Sequence, residues 1–171
     1  MKRWFVAIML AGVGVPGSLW AAERVELTTR VSGVVEEVLV KPGQHVKKGS
    51  VLLRLDRTVL RARLDEAAAE QARAEADEED TRRELERAEE LFNRTVSSTS
   101  ELEAATLRHA RAKAALSGTH ARLVIAKKNL GDAELKAPFG GVVRSVPGGA
   151  GTVVTADCQP KPLVILESGQ P

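Results

Sequence analysis

Between Val25 and Leu55 apolar and polar positions alternate with a period of two, the pattern of half-buried β-strands. Val38 and Val40, then Val51, Leu53 and Leu55, recur on one side, and Pro42-Gly43 and Lys48-Gly49 punctuate the run as turns. About thirty residues bury too little apolar surface to offset their own ordering entropy, so this β-segment needs a partner. The strand pattern returns after Gly131-Asp132, with Leu135, Ala137-Pro138-Phe139-Gly140-Gly141, Val142-Val143, Val146, Val153-Val154 and the apolar run Leu163 to Leu166.

From Thr58 to Leu130 the period becomes that of a helix, with no internal proline. Leu60, Leu64, Ala67, Gln71, Ala74, Glu78, Thr81, Leu85, Ala88 and Phe92 follow a 4-3 spacing. Leu102, Ala105, His109, Ala112, Leu116, Thr119, Leu123, Ala126 and Leu130 follow a 3-4 spacing, so the segment holds two coiled-coil seams. Between them Thr95-Val96-Ser97-Ser98-Thr99-Ser100-Glu101 offers competing side-chain hydrogen bonds, and Ser98 with Glu101 three residues on predicts a capping box. The helix reverses there, giving two arms of about 35 residues, on the order of 50 Å long. Gln71, Glu78 and Thr81 weaken the first seam at its middle, and Gly118 costs the second arm about 1 kcal/mol relative to alanine. A hairpin of this kind brings the two β-halves together, each expected to cover the other's apolar face in one small sandwich.

Composition adds compartment and removes several function classes. Lys2 and Arg3, an apolar run from Trp4 to Val15, then Pro16-Gly17-Ser18 and Ala21-Ala22 predict a cleavable export signal over 1–22. The apolar run is short against the ~20 residues of a membrane-spanning helix. Without Lys2 and Arg3 the basic and acidic residues balance, because the full chain of 171 residues carries 25 Lys+Arg and 23 Asp+Glu. Its arginines alternate with glutamates along a helix and form no nucleic-acid footprint. Aromatics make up 3%, with no tyrosine, which argues against an aromatic-lined ligand pocket. The single cysteine, Cys158, has no intramolecular disulfide partner, and no cysteine follows the apolar run to carry a lipid.

The β-segments resemble a known family. Val31-Ser32-Gly33-Val34-Val35 through Val38-Leu39-Val40-Lys41-Pro42-Gly43-Gln44-His45-Val46-Lys47-Lys48-Gly49-Ser50-Val51-Leu52 is similar to the first half of a lipoyl or biotinyl motif as found in HlyD-like periplasmic adaptor (membrane-fusion) proteins. Leu135-Lys136-Ala137-Pro138-Phe139-Gly140-Gly141-Val142-Val143, with Pro162-Leu163 near the end, is similar to the second half. The resemblance implies an α+β fold: a split lipoyl/biotinyl-like β-sandwich (barrel-sandwich hybrid) with an inserted long antiparallel α-helical coiled-coil hairpin. Its parts are the first β-half over 23–57, the hairpin over 58–130 and the second β-half over 131–171.

It also implies a role as the periplasmic adaptor of a tripartite efflux or secretion system, with no cofactor. The expected partners are a TolC-like outer-membrane channel, an inner-membrane transporter or a second adaptor subunit, and further copies of the chain. Adaptors that dock on such channels carry Arg, then Leu four residues on, then Ser seven further on, at the helix reversal; Arg87, Leu91 and Ser98 match. Arginine supplies a forked donor for carboxylates or carbonyls, leucine an apolar contact and serine a small polar group. The bland counterpart of each is a solvated charge, a packing residue and an N-cap. Thr95 departs from the family, where many relatives carry glycine. Typical adaptors continue into a β-barrel and a membrane-proximal domain, whereas this sequence stops at Pro171, as expected of a minimal adaptor or a truncated one.

Two other readings share the fold. A lipoyl or biotin carrier needs an acylable lysine at the β-hairpin tip, where the sequence places Asp56-Arg57. A structural or vestigial coiled-coil protein would use the β-halves as end caps without docking. An enzyme is not expected: His45, His109 and His120 fit no ligand spacing, and Glu78-Glu79-Asp80 reads as a solvated charge run. His109 sits in the second seam as a core-edge residue whose protonation there would weaken packing if it is buried.

Overall fold

The computed structural model describes residues 24–156 and 161–168. The proposed export signal over 1–22 and the turn around Cys158 lie outside the described residues.

Four short strands come first: β1 (Arg24–Leu27), β2 (Gly33–Val38), β3 (His45–Val46) and β4 (Val51–Leu55). Helices α1 (Thr58–Asn93) and α2 (Thr99–Gly131) follow, and β5 (Glu134–Lys136), β6 (Gly141–Ser145), β7 (Val153–Val154) and β8 (Val164–Ser168) complete the order. The strands form two four-stranded sheets, β1-β8-β6-β3 and β5-β4-β2-β7, with every pairing antiparallel.

This corrects the expectation that one β-half lies over the other. Each sheet takes two strands from before the hairpin and two from after it. The reason lies in the backbone: among the described residues the only strand pairing within the first half is β2 with β4, and the only one within the second is β6 with β8. The other four strand pairings, β1 with β8, β2 with β7, β3 with β6 and β4 with β5, all cross the insertion. The core is accordingly shared, with Val35, Leu52, Leu53 and Leu55 from the first half and Val143, Leu163, Val164 and Leu166 from the second all fully buried. Leu52 was not on the inward side of the sequence alternation. The β4–β5 register shifts between Val51 and Leu53, and this bulge turns consecutive residues toward the core.

A charge network ties the two halves at their outer surface. Arg54 on β4 reaches Glu37 on β2 at 2.6 Å and Glu134 on β5 at 3.5 Å, and Glu134 also receives Arg57 at 3.6 Å and Lys136 at 3.2 Å. The hydrogen bond from Lys136, and then the surrounding cations, hold the Glu134 carboxyl below its ordinary range. A depressed carboxylate contributes stability above its unfolded pKa and loses it as pH falls through the folded value. Glu134→Gln is therefore expected to cost up to about 1 kcal/mol at neutral pH and nothing once the wild-type carboxyl is protonated. Urea titrations between neutral pH and about pH 3 check this: the two stability curves should converge below the ordinary glutamate pKa of about 4.3.

Helix α1 starts where the Thr58 N–H donates to Asp56 Oδ1 at 2.8 Å. Its 36 residues and the 33 of α2 span about 50 Å each. Between Leu60 and Ala88 every expected seam residue of α1 is buried or half-buried, as is every seam residue of α2. The hairpin is rooted in the β-core through Leu60 and Leu130, and Leu64, Ala67, Leu123 and Ala126 continue its packing outward. Phe92, expected in the seam, is instead exposed at the end of α1, because the chain turns away immediately beyond it.

Candidate functional site

The far end of the hairpin is built by two capping motifs in succession. At the end of α1 the Val96 N–H donates to the Leu91 carbonyl at 3.0 Å and the Thr95 N–H to the Phe92 carbonyl at 2.9 Å. These are the two hydrogen bonds of a Schellman motif, which requires its C′ residue in the left-handed region. Thr95 holds that place with φ 62°, a conformation that favours glycine and costs a β-branched residue of order 1–3 kcal/mol. The tip thus keeps the geometry glycine would give, built on threonine. The Schellman motif also pairs C3 with C″, here Leu91 with Val96, and the two line one groove.

At the start of α2 the predicted capping box is complete. The Glu101 N–H donates to Ser98 Oγ at 3.3 Å, and the Ser98 N–H donates to Glu101 Oε2 at 2.9 Å. Ser98 therefore sets the direction of the second arm, and its hydroxyl proton remains available as a donor.

Arg87 and Leu91 lie one turn apart on α1 and open into the same groove, with Ala88, Val96 and Ser97 beside them and Ala105 and Arg108 opposite. Ser98 is not among the lining residues; its neighbour Ser97 is, and Ser97 Oγ is buried without a hydrogen-bond partner. Ser97 and Val96 are tip residues that the spacing pattern alone does not single out. The Ser-x-x-Glu box fixes which serine caps, and hence which one is left over.

Arg87 differs in its electrostatics from Arg82, Arg83 and Arg108. Arg82 is held by Glu79 at 2.7 Å and Glu86 at 2.5 Å, Arg83 by Glu79 at 2.8 Å, and Arg108 by Glu84 at 2.9 Å. Hydrogen bonds from Arg82 and Arg83 lower the Glu79 pKa. Among the described residues Arg87 forms no ion pair. An exposed guanidinium without an internal partner stands beside apolar surface, with Leu91 44% and Val96 71% exposed.

The position where a carrier would present its lysine is occupied differently. Asp56 caps α1, its pKa lowered by the backbone hydrogen bond from Thr58, and Arg57 faces Glu134. His45 and His120 are exposed, whereas His109 is partly buried opposite Glu78. Among the described residues no group of three or more His, Cys, Asp or Glu is arranged to hold a metal ion.

Residues 23–164 match the family model described as CzcB-like, barrel-sandwich hybrid domain. The chain belongs to this family. Among curated relatives of this CzcB-like chain, the efflux pump periplasmic linker BepF of Brucella suis biovar 1 is 30% identical, over 88% of this chain and 37% of BepF. The chain thus spans little more than a third of that relative's length. A MacA-MexA chimeric protein carrying the Pseudomonas aeruginosa MexA α-hairpin domain superposes with TM-score 0.62 and 25% identity, over 85% of this chain and 46% of that one. The membrane fusion protein Spr0693 of Streptococcus pneumoniae R6 shares the fold, with TM-score 0.66 at 18% identity over 88% of this chain and 62% of that one. The CzcB-like chain is therefore a periplasmic-adaptor (membrane-fusion) relative with the split barrel-sandwich and hairpin architecture. Among its described residues no helix is long and apolar enough to cross a membrane.

Proposed function

We propose that this protein is a periplasmic adaptor of an efflux or secretion system, placing its hairpin tip against a TolC-like outer-membrane channel and its β-domain toward an inner-membrane transporter or a second adaptor subunit. The observation that carries this reading is the uncommitted Arg87 next to exposed Leu91 and Val96, at the end of two arms about 50 Å long. A rigid rod that ends in a free forked donor and an apolar step is suited to bind a protein surface end-on. Channel carboxylates or carbonyls would take the Arg87 fork, and Ser97 Oγ and the Ser98 hydroxyl offer small polar contacts where two hairpins meet. BepF is named a periplasmic linker of an efflux pump, which agrees with this role.

The test is an in-cell crosslink from a photoreactive residue placed at Leu91, with products identified by mass spectrometry. A channel subunit in the product supports docking. Self-adducts alone would instead favour a structural coiled-coil protein.

Self-association side by side is part of the same proposal. The outward face of α2 exposes Leu107 at 51%, Val124 at 52% and Ile125 at 59%, with Ala114 and Ala121 between them. Arg111 and Lys113, both exposed and outside the ion pairs with α1, flank this strip, while α1 is predominantly acidic. An apolar strip with a basic rim fits the acidic arm of a second copy. Sedimentation of the purified protein is expected to show concentration-dependent self-association that Ile125→Glu abolishes, leaving the monomer.

A further inference from the structure

The middle of the hairpin seam is polar, and two of its side chains meet there without other partners. His109 Nδ1 on α2 lies 3.8 Å from Glu78 Oε1 on α1, and the two side chains are 20% and 23% exposed. The Nδ1 atom is buried and unpartnered, and among the described residues Glu78 has no other side-chain partner. Two turns along the seam, Gln71 Oε1 is likewise buried without a partner. Thr81 turns its hydroxyl back to the Asp77 and Glu78 carbonyls of its own helix. This stretch therefore has neither the apolar packing seen at Leu64, Ala67, Leu123 and Ala126 nor a satisfied polar network.

We propose that Glu78 and His109 form an acid-set clasp between the two arms. A neutral imidazole leaves a half-buried carboxylate facing a ring that adds no charge to the contact, and the seam holds by shape alone. Protonation places a cation within ion-pairing distance of Glu78 and gives both groups a partner across the helices.

The other charged groups nearby do not compete for either member. Arg82 on α1 is committed to Glu79 and Glu86, Arg108 on α2 to Glu84, and Arg83 to Glu79. Lys113, one turn on from His109 along α2, is exposed, as is Asp77 beside Glu78 on α1. This reverses the effect expected from the seam position alone, because the facing residue is a carboxylate and not an apolar side chain. Mild acid thus stiffens the middle of the rod that presents the tip, a use that rests on the adaptor reading, whereas the clasp itself does not.

Thermal unfolding of the full chain at about pH 7.5 and about pH 5.5 tests the clasp without any channel present. The comparison is between wild type, His109→Gln and Glu78→Gln. On acidification the wild-type midpoint is expected to rise relative to both variants by roughly 2–4 °C, and the double variant should behave like either single one. Equal responses of all three proteins, or a relative fall of wild type in acid, would overturn the proposal. Should His109→Gln fail to fold, Glu78→Gln and His109→Leu carry the same comparison. Loss of the Leu91 crosslink to a channel would leave this result untouched.

Discussion

Replacing Leu55 with alanine is expected to destabilise the protein by about 3 kcal/mol, the largest effect of any single truncation considered. Leu55 is fully buried, pairs in register with Val35, and its N–H donates to the Ala133 carbonyl at 2.9 Å. A leucine in that place loses its transfer free energy and leaves a cavity lined by both halves of the domain, which are already braced against each other and can close it only partly. Because Leu60 and Leu130 belong to the same core, the root of the hairpin loosens too. Urea denaturation followed by circular dichroism measures the loss. Amide exchange should show faster exchange at β2, β4 and the first turns of α1, while the far half of the hairpin changes least. A cost under about 1 kcal/mol would mean that the two sheets repack around the site and that the core is less constrained than its burial implies.

The second large effect concerns docking. Arg87→Asp is expected to weaken binding to a purified TolC-like channel by about a hundredfold, equivalent to roughly 3 kcal/mol. Reversing the charge removes a forked donor and sets a carboxylate against the acceptors it would meet. Stability should move by no more than about 0.5 kcal/mol, because Arg87 is exposed and holds no internal ion pair. Arg83→Asp is the matching control. It disrupts the pair with Glu79 at 2.8 Å but does not line the groove and should leave binding intact. Unchanged affinity of Arg87→Asp would remove the tip contact from the adaptor role and return Arg87 to the status of a solvated charge.

Much of this architecture can be read from the chain because it rests on local periodicity. A heptad repeats its instruction every two turns, so the seam residues from Leu60 to Ala88 and from Leu102 to Leu130 face inward as their spacing demands. The Ser98–Glu101 box is equally local and equally legible. Strand pairing is not local. Nothing in Arg24–Leu27 or Val164–Ser168 says that these two segments pair, and the interleaving of the halves follows from strand partners at least 80 residues apart in sequence.

The tip illustrates a different limit. Threonine is a poor signal for a left-handed C′ residue, so Thr95 hides the Schellman motif that glycine would announce, and with it the pairing of Leu91 and Val96. Spacing marks Ser98, yet the groove is lined by Ser97, because a capping serine turns its oxygen toward its own helix. The heptad likewise places Glu78 and His109 in their seams, but their approach across the interface belongs to the assembled hairpin.

The interleaved sheets also set an order of events in time. Neither sheet can be completed until strands of the second half exist: one needs β5 and β7, the other β6 and β8, which ends at Ser168. The arms of the hairpin need only each other, so they can associate while β1 and β3 still lack partners. Once zipped, they replace a long flexible loop by a short rigid one and bring β4 next to β5. The β-domain is therefore expected to form late, at a rate governed by how fast the helices find their register. During that interval β1 and β3, which have no partner within their own half, are the segments most exposed to wrong pairing with another chain.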